Sequence, residues 1–297
     1  MEKALLLGEL ACLGAALCWA ISVALFRRPI AREGAVTVNF GKNTIAALLF
    51  GGTAAALGQL TGFFDLPPAA IGALALSGLL GLTLGDSALF LAVGSLGAHR
   101  ALLFQTLAPI FAALCSWLLT GEVLTAVQAS GVALVLAGVT VVVAPARGEA
   151  RQPLAWAGIA WATTAAFGQG AGIALTKTAM ATVPVFTASF IRQGSAVLGL
   201  IVVLALQRKL SHSLGLFTAG NRFLPILFPA VLSAYIGFSL MMLGISRAPA
   251  SVAAVLLAVT PVFSLFLDAA TGHGKLTWRG LLGTAVAVAG VAVLVAS

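Results

Sequence analysis

The sequence predicts an all-α polytopic membrane protein with ten transmembrane helices, arranged as two inverted five-helix repeats. Three observations lead to this fold class. The 297 residues are 61% hydrophobic and only 8% charged, whereas soluble domains carry roughly a quarter charged residues. Ten apolar stretches each reach about 20 residues, the length that crosses a bilayer. The second five stretches also repeat the residue pattern of the first five.

Short polar or proline-containing segments separate the predicted spans. The first span ends at Arg27-Arg28-Pro29, and a charged linker from Pro145 to Pro153 lies at the middle of the chain. This linker divides one integral membrane domain into a first repeat, 1–146, and a second, inverted repeat, 147–297. The approximate spans are 6–26, 35–57, 69–93, 98–119, 124–144, 154–176, 183–206, 223–245, 249–270 and 279–297.

Residues matched at a nearly constant spacing relate the two halves. Chance similarity between apolar helices does not readily match Pro, Gly, Lys/Arg and Asn/Gln positions together. Because five is odd, the second repeat enters the membrane upside down, a common construction of secondary transporters. The pairs, at spacings of 150 or 152 residues, include Thr37 and Thr187, Lys42 and Arg192, Asn43 and Gln193, Gly85 and Gly237, Pro109 and Pro261, and Gly138 and Gly290.

The cations in the loops predict the orientation. One face carries eleven Lys and Arg residues and the other carries three. Cytoplasmic loops are enriched in Lys and Arg, so we predict that the first face is cytoplasmic. Both termini are then periplasmic, in a bacterial cytoplasmic (inner) membrane. The net charge of +8 is thus a topology signal and does not indicate a nucleic-acid partner. The first face holds Arg27, Arg28, Arg32, Arg100, Arg147, Arg151, Arg208, Lys209, Arg222, Lys275 and Arg279, and the second holds Lys3, Lys177 and Arg247.

A motif around the paired prolines resembles a known family. In the first half the motif reads Leu107-Ala108-Pro109, then Thr120-Gly121-Glu122-Val123-Leu124-Thr125, Gln128, Gly131 and Gly138-Val139. The second half repeats it as Thr260-Pro261, Leu276-Thr277, Gly283 and Gly290-Val291. This pattern resembles the drug/metabolite transporter (DMT) superfamily, of the EamA type, over essentially the whole chain. Gly274 departs from it, because the family pattern places a Glu there. The periplasmic termini predicted from the loop charges also depart from the family pattern, because familiar members usually have cytoplasmic termini.

The resemblance implies the EamA fold and transport of a small molecule. Within that type, the chain looks most like the YddG-type exporters of aromatic and other neutral amino acids. Proton-coupled multidrug relatives use a membrane-embedded Glu in the first helix, whereas Glu9 lies near the outer end of this one. Uncoupled export is therefore the simpler expectation, and any proton coupling would have to use Asp86.

Four glycines recur every seven residues on one face of the fifth and tenth predicted spans. Small residues let helices approach closely. We expect these glycines to pack helices, either by joining the two halves or within one half, without contacting a substrate. They are Gly131, Gly138, Gly283 and Gly290.

Lys42 and Asp86 are the sharpest pair of ionisable residues inside the predicted spans, and Asp86 is the only acid expected well inside one. Intramembrane charges are costly and tend to pair or line a wet pathway. The pair is an inner gate or substrate contact, or else a static ion pair, or a lysine that snorkels to the interface. Arg192 matches Lys42, but Phe238 stands at the position equivalent to Asp86. An unpaired Arg192 would suit a substrate carboxylate, with snorkelling as the alternative.

Pro109 and Pro261 lie in the middle of apolar runs. A proline inside a helix frees a carbonyl one turn back and bends the helix. The two bent helices are predicted to face one another across a central cavity, with Gln105 and Thr260 beside the prolines. Trp19 and Trp161 are candidates to bracket an apolar substrate, and other polar residues are cavity candidates or interhelical hydrogen-bond partners. These other residues are Asn43, Gln169, Gln193 and Tyr235.

Together these features predict an exporter of small metabolites, chiefly amino acids, that works by alternating access through a central cavity. The expected partners are a small-molecule substrate and the lipid bilayer, and the chain is expected to act as a monomer. An exporter of lipophilic drugs from the same superfamily is the alternative. No enzyme activity, metal site or cofactor is expected, because His99, His212 and His273 fall in loops or at span ends and haem ligation needs histidines within helices.

Overall fold

The computed structural model describes residues 2–120, 125–143, 156–179, 182–247, 256–273 and 276–296. Within these ranges the chain is helical and contains no β-strand. Five helical stretches are long and apolar enough to cross a membrane, and three further apolar helices are shorter. The all-α polytopic fold predicted from the sequence is therefore confirmed. The Gly121–Leu124 turn, the linker 145–153 and Gly274 lie outside the described residues.

The first repeat contains two interruptions of its α-helices. A π-helical segment, Gly78–Gly85, joins α3 to α4, and we call it the first π segment. A single 3₁₀ turn, Gln105–Leu107, joins α5 to α6. The helices are α1 (Glu2–Glu33), α2 (Ala35–Ala56), α3 (Pro68–Ser77), α4 (Asp86–Leu96), α5 (Ala98–Phe104), α6 (Ala108–Thr120) and α7 (Ala126–Val143).

The second repeat reproduces the first of these interruptions. A second π segment, Val231–Gly237, joins α11 to α12. The two π segments end at Gly85 and Gly237, which the sequence pairs at a spacing of 152. The helices are α8 (Trp156–Ala179), α9 (Val185–Leu206), α10 (Leu210–Leu214), α11 (Gly220–Ala230), α12 (Phe238–Arg247), α13 (Thr260–Ala270) and α14 (Trp278–Ala296).

Helix packing follows the same two-fold pattern. The equivalent helices α2 and α9 pack against each other. The first π segment and α4 pack on α8, and the second π segment and α12 pack on α1, which is the equivalent of α8. Likewise α6 packs on α8 and α13 packs on α1. Each half therefore inserts its third span against the other half, and the centre of the bundle lies between the repeats.

The glycine-bearing helices α7 and α14 pack face to face. A Cβ added at Gly138 would lie 2.5 Å from the backbone nitrogen of Ala287 and 2.5 Å from the carbonyl oxygen of Gly283. A Cβ added at Gly290 would lie 2.5 Å from the backbone nitrogen of Val135. The small residues thus allow two backbones to touch. Of the two packing alternatives, the structure shows that these helices join the two halves.

The first helix extends past the predicted stop at Arg27-Arg28-Pro29. Helix α1 runs on to Glu33 and contains Pro29 inside it. The extension is held by two ion pairs, because Arg27 binds Asp268 on α13 and Glu33 binds Arg222 on α11, each at 2.7 Å. Tertiary contacts therefore stabilise a turn that the proline alone disfavours.

Pro109 and Pro261 begin helices instead of bending them from within. Each lies in the first turn of its helix, α6 or α13, where its missing N–H has no intrahelical partner to lose. The carbonyl of Leu257, one turn before Pro261, accepts a 2.7 Å hydrogen bond from the Thr260 hydroxyl. Helix α6 packs on α8, whereas α13 packs on α1 and α5, and the facing of the two helices across a cavity stays a prediction.

Arg27 and Arg222, two cations of the predicted cytoplasmic face, form ion pairs at one end of the bundle. The Arg27–Asp268 and Glu33–Arg222 ion pairs both lie there and both join the first repeat to the second. At the opposite end, the Thr187 hydroxyl donates a 2.8 Å hydrogen bond to the carbonyl of Gln59. The loop grouping used to predict the orientation therefore agrees with the packing.

Candidate functional site

Lys42 and Asp86 form a buried ion pair between α2 and α4. The Nζ of Lys42 donates to Oδ2 of Asp86, and the two residues are only 8% and 6% exposed. Asp86 is the first residue of α4, directly after the first π segment, so the π segment positions this carboxylate against α2. Lys42 also lies 5.5 Å from the centre of the Phe90 ring. The structure thus confirms that the two charges are paired.

Gln169, on α8 of the second repeat, binds the other oxygen of this carboxylate. Its Nε2 donates a 2.8 Å hydrogen bond to Oδ1 of Asp86 and lies 3.4 Å from the carbonyl oxygen of Gly81 in the first π segment. Both oxygens of Asp86 therefore have a donor, one from each repeat.

Arg192 reaches the first π segment from α9. Its Nη2 lies 3.6 Å from the position that a Cβ on Gly81 would occupy, and Gly81 is also the residue whose carbonyl Gln169 approaches. The Nε of Arg192 is buried and has no hydrogen-bond partner within the part of the chain that the structure describes. The name charge cluster is used below for Lys42, Asp86, Gln169 and Arg192. With two cations and one carboxylate, the cluster has a net charge of +1 when all three are ionised.

Two asparagines on α2 support the first π segment. Asn39 donates to the carbonyl of Leu82 at 2.7 Å and to the hydroxyl of Ser87 at 2.9 Å. Its own Oδ1 accepts a 2.6 Å hydrogen bond from Nδ2 of Asn43. Sequence reasoning missed Asn39, although its position one helical turn before Asn43 could have revealed it. The equivalent residues Asn43 and Gln193 each keep a buried side-chain oxygen without a partner among the described residues.

Trp19, on α1 of the first repeat, makes a hydrogen bond to the second repeat. This bond is the repeat equivalent of the contact between Gln169 and Gly81. Its indole Nε1 donates to the carbonyl of Ser233, in the second π segment, at 3.1 Å. Trp19 is 150 residues before Gln169, and Ser233 is 152 residues after Gly81. Equivalent side chains therefore donate to equivalent carbonyls, and Trp19, expected to bracket a substrate, makes an interhelical hydrogen bond that sequence reasoning did not predict.

We expect Trp19→Phe to lower the free energy of unfolding by about 1 kcal/mol, because the Ser233 carbonyl loses its indole donor inside the bundle. Thermal unfolding of the purified protein in detergent would measure the change. Trp278→Phe, at a residue that is 75% exposed, is the matched control and should change stability much less. Equal effects of the two substitutions would contradict a structural role for this hydrogen bond.

Aromatic side chains from both repeats meet around Phe50 of α2. The hydroxyls of Tyr235 and Thr53 lie 2.6 Å apart. The ring of Phe50 is 5.2 Å from the rings of both Tyr235 and Phe238 and 6.2 Å from that of Phe186. Phe238 stands at the position equivalent to Asp86. The aromatic cluster, defined as Phe50, Phe186, Tyr235 and Phe238, thus replaces a carboxylate in the second half.

Other predicted site residues lie outside these two clusters. Trp161 is 39% exposed on α8, which places its ring at the surface and not around a central substrate. Thr260 and Pro261 begin α13, where Nδ1 of His99 lies 3.0 Å from the Pro261 carbonyl. Gln105 lies in the 3₁₀ turn before Pro109, and its Nε2 is buried without a partner among the described residues. A cavity of about 660 Å³ lies near this turn and is lined mainly by apolar side chains, not by the charge cluster.

A second charged network was missed by sequence reasoning. Asp268 is buried on α13, accepts a 2.7 Å hydrogen bond from Nη2 of Arg27 and lies 3.3 Å from the backbone nitrogen of His99. Asp268 is thus a buried acid that sequence reasoning did not single out, although it does not lie well inside a span. Asp268 lies only two residues before the end of its helix, so hydropathy alone places it at the interface.

The comparisons with known proteins agree with the two-repeat architecture. The family model described as the EamA-like transporter family matches residues 6–144 and again residues 156–296. No curated protein matches the chain. One solved structure, described as the crystal structure of a protein, is similar to this chain with a TM-score of 0.65 and 22% sequence identity. The match covers 99% of this chain and 96% of the other, so the two proteins share a fold. The chain therefore belongs to the EamA-like transporter family of the DMT superfamily and is a multi-pass membrane transporter.

Proposed function

We propose that this transporter exports neutral amino acids, including aromatic ones, and that the charge cluster binds the zwitterionic part of the substrate. The observation that carries the proposal is the buried Asp86 carboxylate, which Lys42 and Gln169 bind from opposite repeats, together with a buried Arg192 whose Nε has no partner among the described residues. An amino acid presents an ammonium and a carboxylate side by side. Asp86 complements the first, and the planar guanidinium of Arg192 suits the second.

The aromatic cluster supports the substrate class. Phe50 follows Lys42 by eight residues on α2, which corresponds to about 12 Å along a helix. The charged and aromatic groups thus follow one another along the same helix, between the two repeats. Apolar walls with a few polar groups are typical of small-molecule sites. A substrate with a charged end and an apolar or aromatic side chain fits this arrangement.

We further propose that the protein lies in a bacterial cytoplasmic membrane with both termini in the periplasm, and that the repeat boundary falls between residues 146 and 147. The loop charges support this orientation, and the packing brings the cationic loops to one end of the bundle.

Export of lipophilic drugs is the second candidate function. The aromatic cluster favours it, because stacked rings accept many planar molecules. A lipophilic cation would need a free carboxylate, however, and both oxygens of Asp86 already have donors. The charge cluster therefore favours a substrate that brings an anion as well as a cation.

Proteoliposomes loaded with each of the twenty labelled amino acids, or with a labelled lipophilic cation, would test both functions. We expect protein-dependent efflux of neutral and aromatic amino acids. Arg192→Lys should lower transport efficiency about tenfold, because lysine keeps the charge but loses the two-pronged hydrogen bonding. Arg100→Lys, at an exposed position, is the matched control. Efflux of the lipophilic cation without efflux of any amino acid would reject the proposal in favour of drug export.

A further inference from the structure

We propose that two ion pairs, Arg27–Asp268 and Glu33–Arg222, form a gate that closes one end of the transporter. The end of the bundle that carries these four residues is called the charged end below. The pairs are joined while the charged end is closed, and they separate when it opens to water. The inference rests on the alternating-access part of the proposed function, and it does not depend on which substrate is carried.

Both ion pairs cross the boundary between the two repeats. Arg27 and Glu33 belong to α1 of the first repeat, whereas Asp268 and Arg222 belong to α13 and α11 of the second. The charged atoms of each pair lie 2.7 Å apart, and the two acidic side chains are only 8% and 4% exposed. A movement that separates the repeats at this end must therefore break both pairs.

The Arg27–Asp268 pair covers a buried part of the interface. The carboxylate of Asp268 also lies 3.3 Å from the backbone nitrogen of His99 on α5, so three helices meet at this side chain. Ser264 lies one helical turn before Asp268, on the same face of α13. Ser264 has no exposed surface. In this structure, water therefore does not reach Ser264 from the charged end.

The repeat does not reproduce these ion pairs at the opposite end. At spacings of 150 and 152 residues, the equivalent residues are Val183 for Glu33, Ala70 for Arg222 and Ser116 for Asp268. Val183 and Ala70 both belong to one buried apolar cluster. Equivalent positions thus hold small or apolar side chains at one end of the bundle and paired charges at the other.

Paired charges make the charged end sensitive to the loss of one partner. When this end opens, each charged group exchanges its partner for water and recovers its hydration. While the end is closed, a charge whose partner has been removed stays buried and uncompensated, which is strongly disfavoured. Removal of one member of a pair should therefore shift the equilibrium toward the open state, whereas neutralisation of both members should not.

A cysteine at position 264 can report the opening of the charged end. Ser264→Cys changes the shape of the side chain little, and the serine hydroxyl has no hydrogen-bond partner among the described residues. The background for this reporter carries alanine in place of Cys12, Cys18 and Cys115. A charged, membrane-impermeant maleimide is applied to membrane vesicles that expose either the charged end or the opposite end, and the labelling rate is measured.

The reporter protein should be labelled slowly from the charged end. Arg27→Gln should raise this rate about tenfold or more, because Asp268 is left without its cation in the closed state. The double variant Arg27→Gln with Asp268→Asn should return the rate to that of the reporter protein. Arg28→Gln is the matched control, because Arg28 is an exposed cation next to Arg27, and it should leave the rate unchanged.

Equal labelling rates of Arg27→Gln and Arg28→Gln would overturn the inference, as would a double variant that is labelled as fast as Arg27→Gln. Faster labelling from both ends would also overturn it, because that result would show a general loosening of the bundle. If Arg27→Gln does not fold, Glu33→Gln provides the same test on the second pair, with Glu33→Gln and Arg222→Gln together as the double variant. Labelling needs no substrate, so it tests the gate alone, whereas the efflux assay in proteoliposomes tests the proposed function.

Discussion

Asp268→Asn is expected to destabilise the protein by about 3 kcal/mol, because it removes the anion from a largely buried ion pair. The side chains of Arg27 and Asp268 are 17% and 8% exposed, and their charged atoms lie 2.7 Å apart. Asparagine keeps the shape of the side chain but leaves the guanidinium without a counter-ion. The contact joins α1 to α13, so its loss also weakens the attachment of the second repeat to the first. Thermal or denaturant unfolding in detergent would measure the change.

Asp65→Asn is the matched control for this substitution. Asp65 lies exposed at the end of the 3₁₀ turn between α2 and α3, at the opposite end of the bundle from Asp268. Surface charges contribute little to stability, so we expect a change below about 0.5 kcal/mol. A stability of Asp268→Asn within that margin of the control would show that the Arg27–Asp268 contact does not hold the halves together.

Gly138→Ala is expected to destabilise the protein by about 3 kcal/mol or more, because the new Cβ would overlap the backbone of α14. It would lie 2.5 Å from the nitrogen of Ala287 and 2.5 Å from the oxygen of Gly283. Backbone atoms cannot rotate away as a side chain can, so the two helices must separate. Lower thermal stability and a lower yield of folded protein in size-exclusion chromatography would report this separation.

The control for Gly138→Ala is Gly94→Ala on α4. A Cβ added at Gly94 has no neighbouring atom within 4 Å, and alanine favours a helix over glycine by roughly 0.5–1 kcal/mol. The control should therefore be neutral or slightly stabilising. If both substitutions stabilise the protein, the close approach of α7 and α14 does not occur in the folded protein.

Much of the fold could be predicted because it depends on local composition. Apolar runs gave the helices, and the matched positions Lys42/Arg192 and Gly138/Gly290 gave the two repeats. The Lys42–Asp86 pair was also predictable, because few ionisable residues lie inside the spans and such charges tend to find one another.

The rest of the candidate site could not be predicted, because it depends on which helices meet. The repeat alignment offers Arg192 no carboxylate, since Phe238 stands at the position equivalent to Asp86, yet the structure places its Nη2 3.6 Å from where a Cβ on Gly81 would lie, in the first π segment of the other half. The hydrogen bonds from Gln169 and Trp19 to the two π segments depend on a backbone change that has no clear sequence signal. Trp161 was expected beside a substrate because its helix is the repeat equivalent of the first helix, and the structure shows its side chain 39% exposed.

The sequence by itself predicted a polytopic, all-helical membrane protein built from two repeats, because hydropathy and the proline and glycine positions are properties of the chain alone. Only the tertiary structure decided the role of each paired residue. It showed Pro109 and Pro261 at the start of helices, the glycines as the seam between the halves, and Asp86 as the carboxylate shared by Lys42 and Gln169. The physical reason is that a buried charge or a missing Cβ acquires its role from the atoms packed against it, and those atoms come from the other repeat.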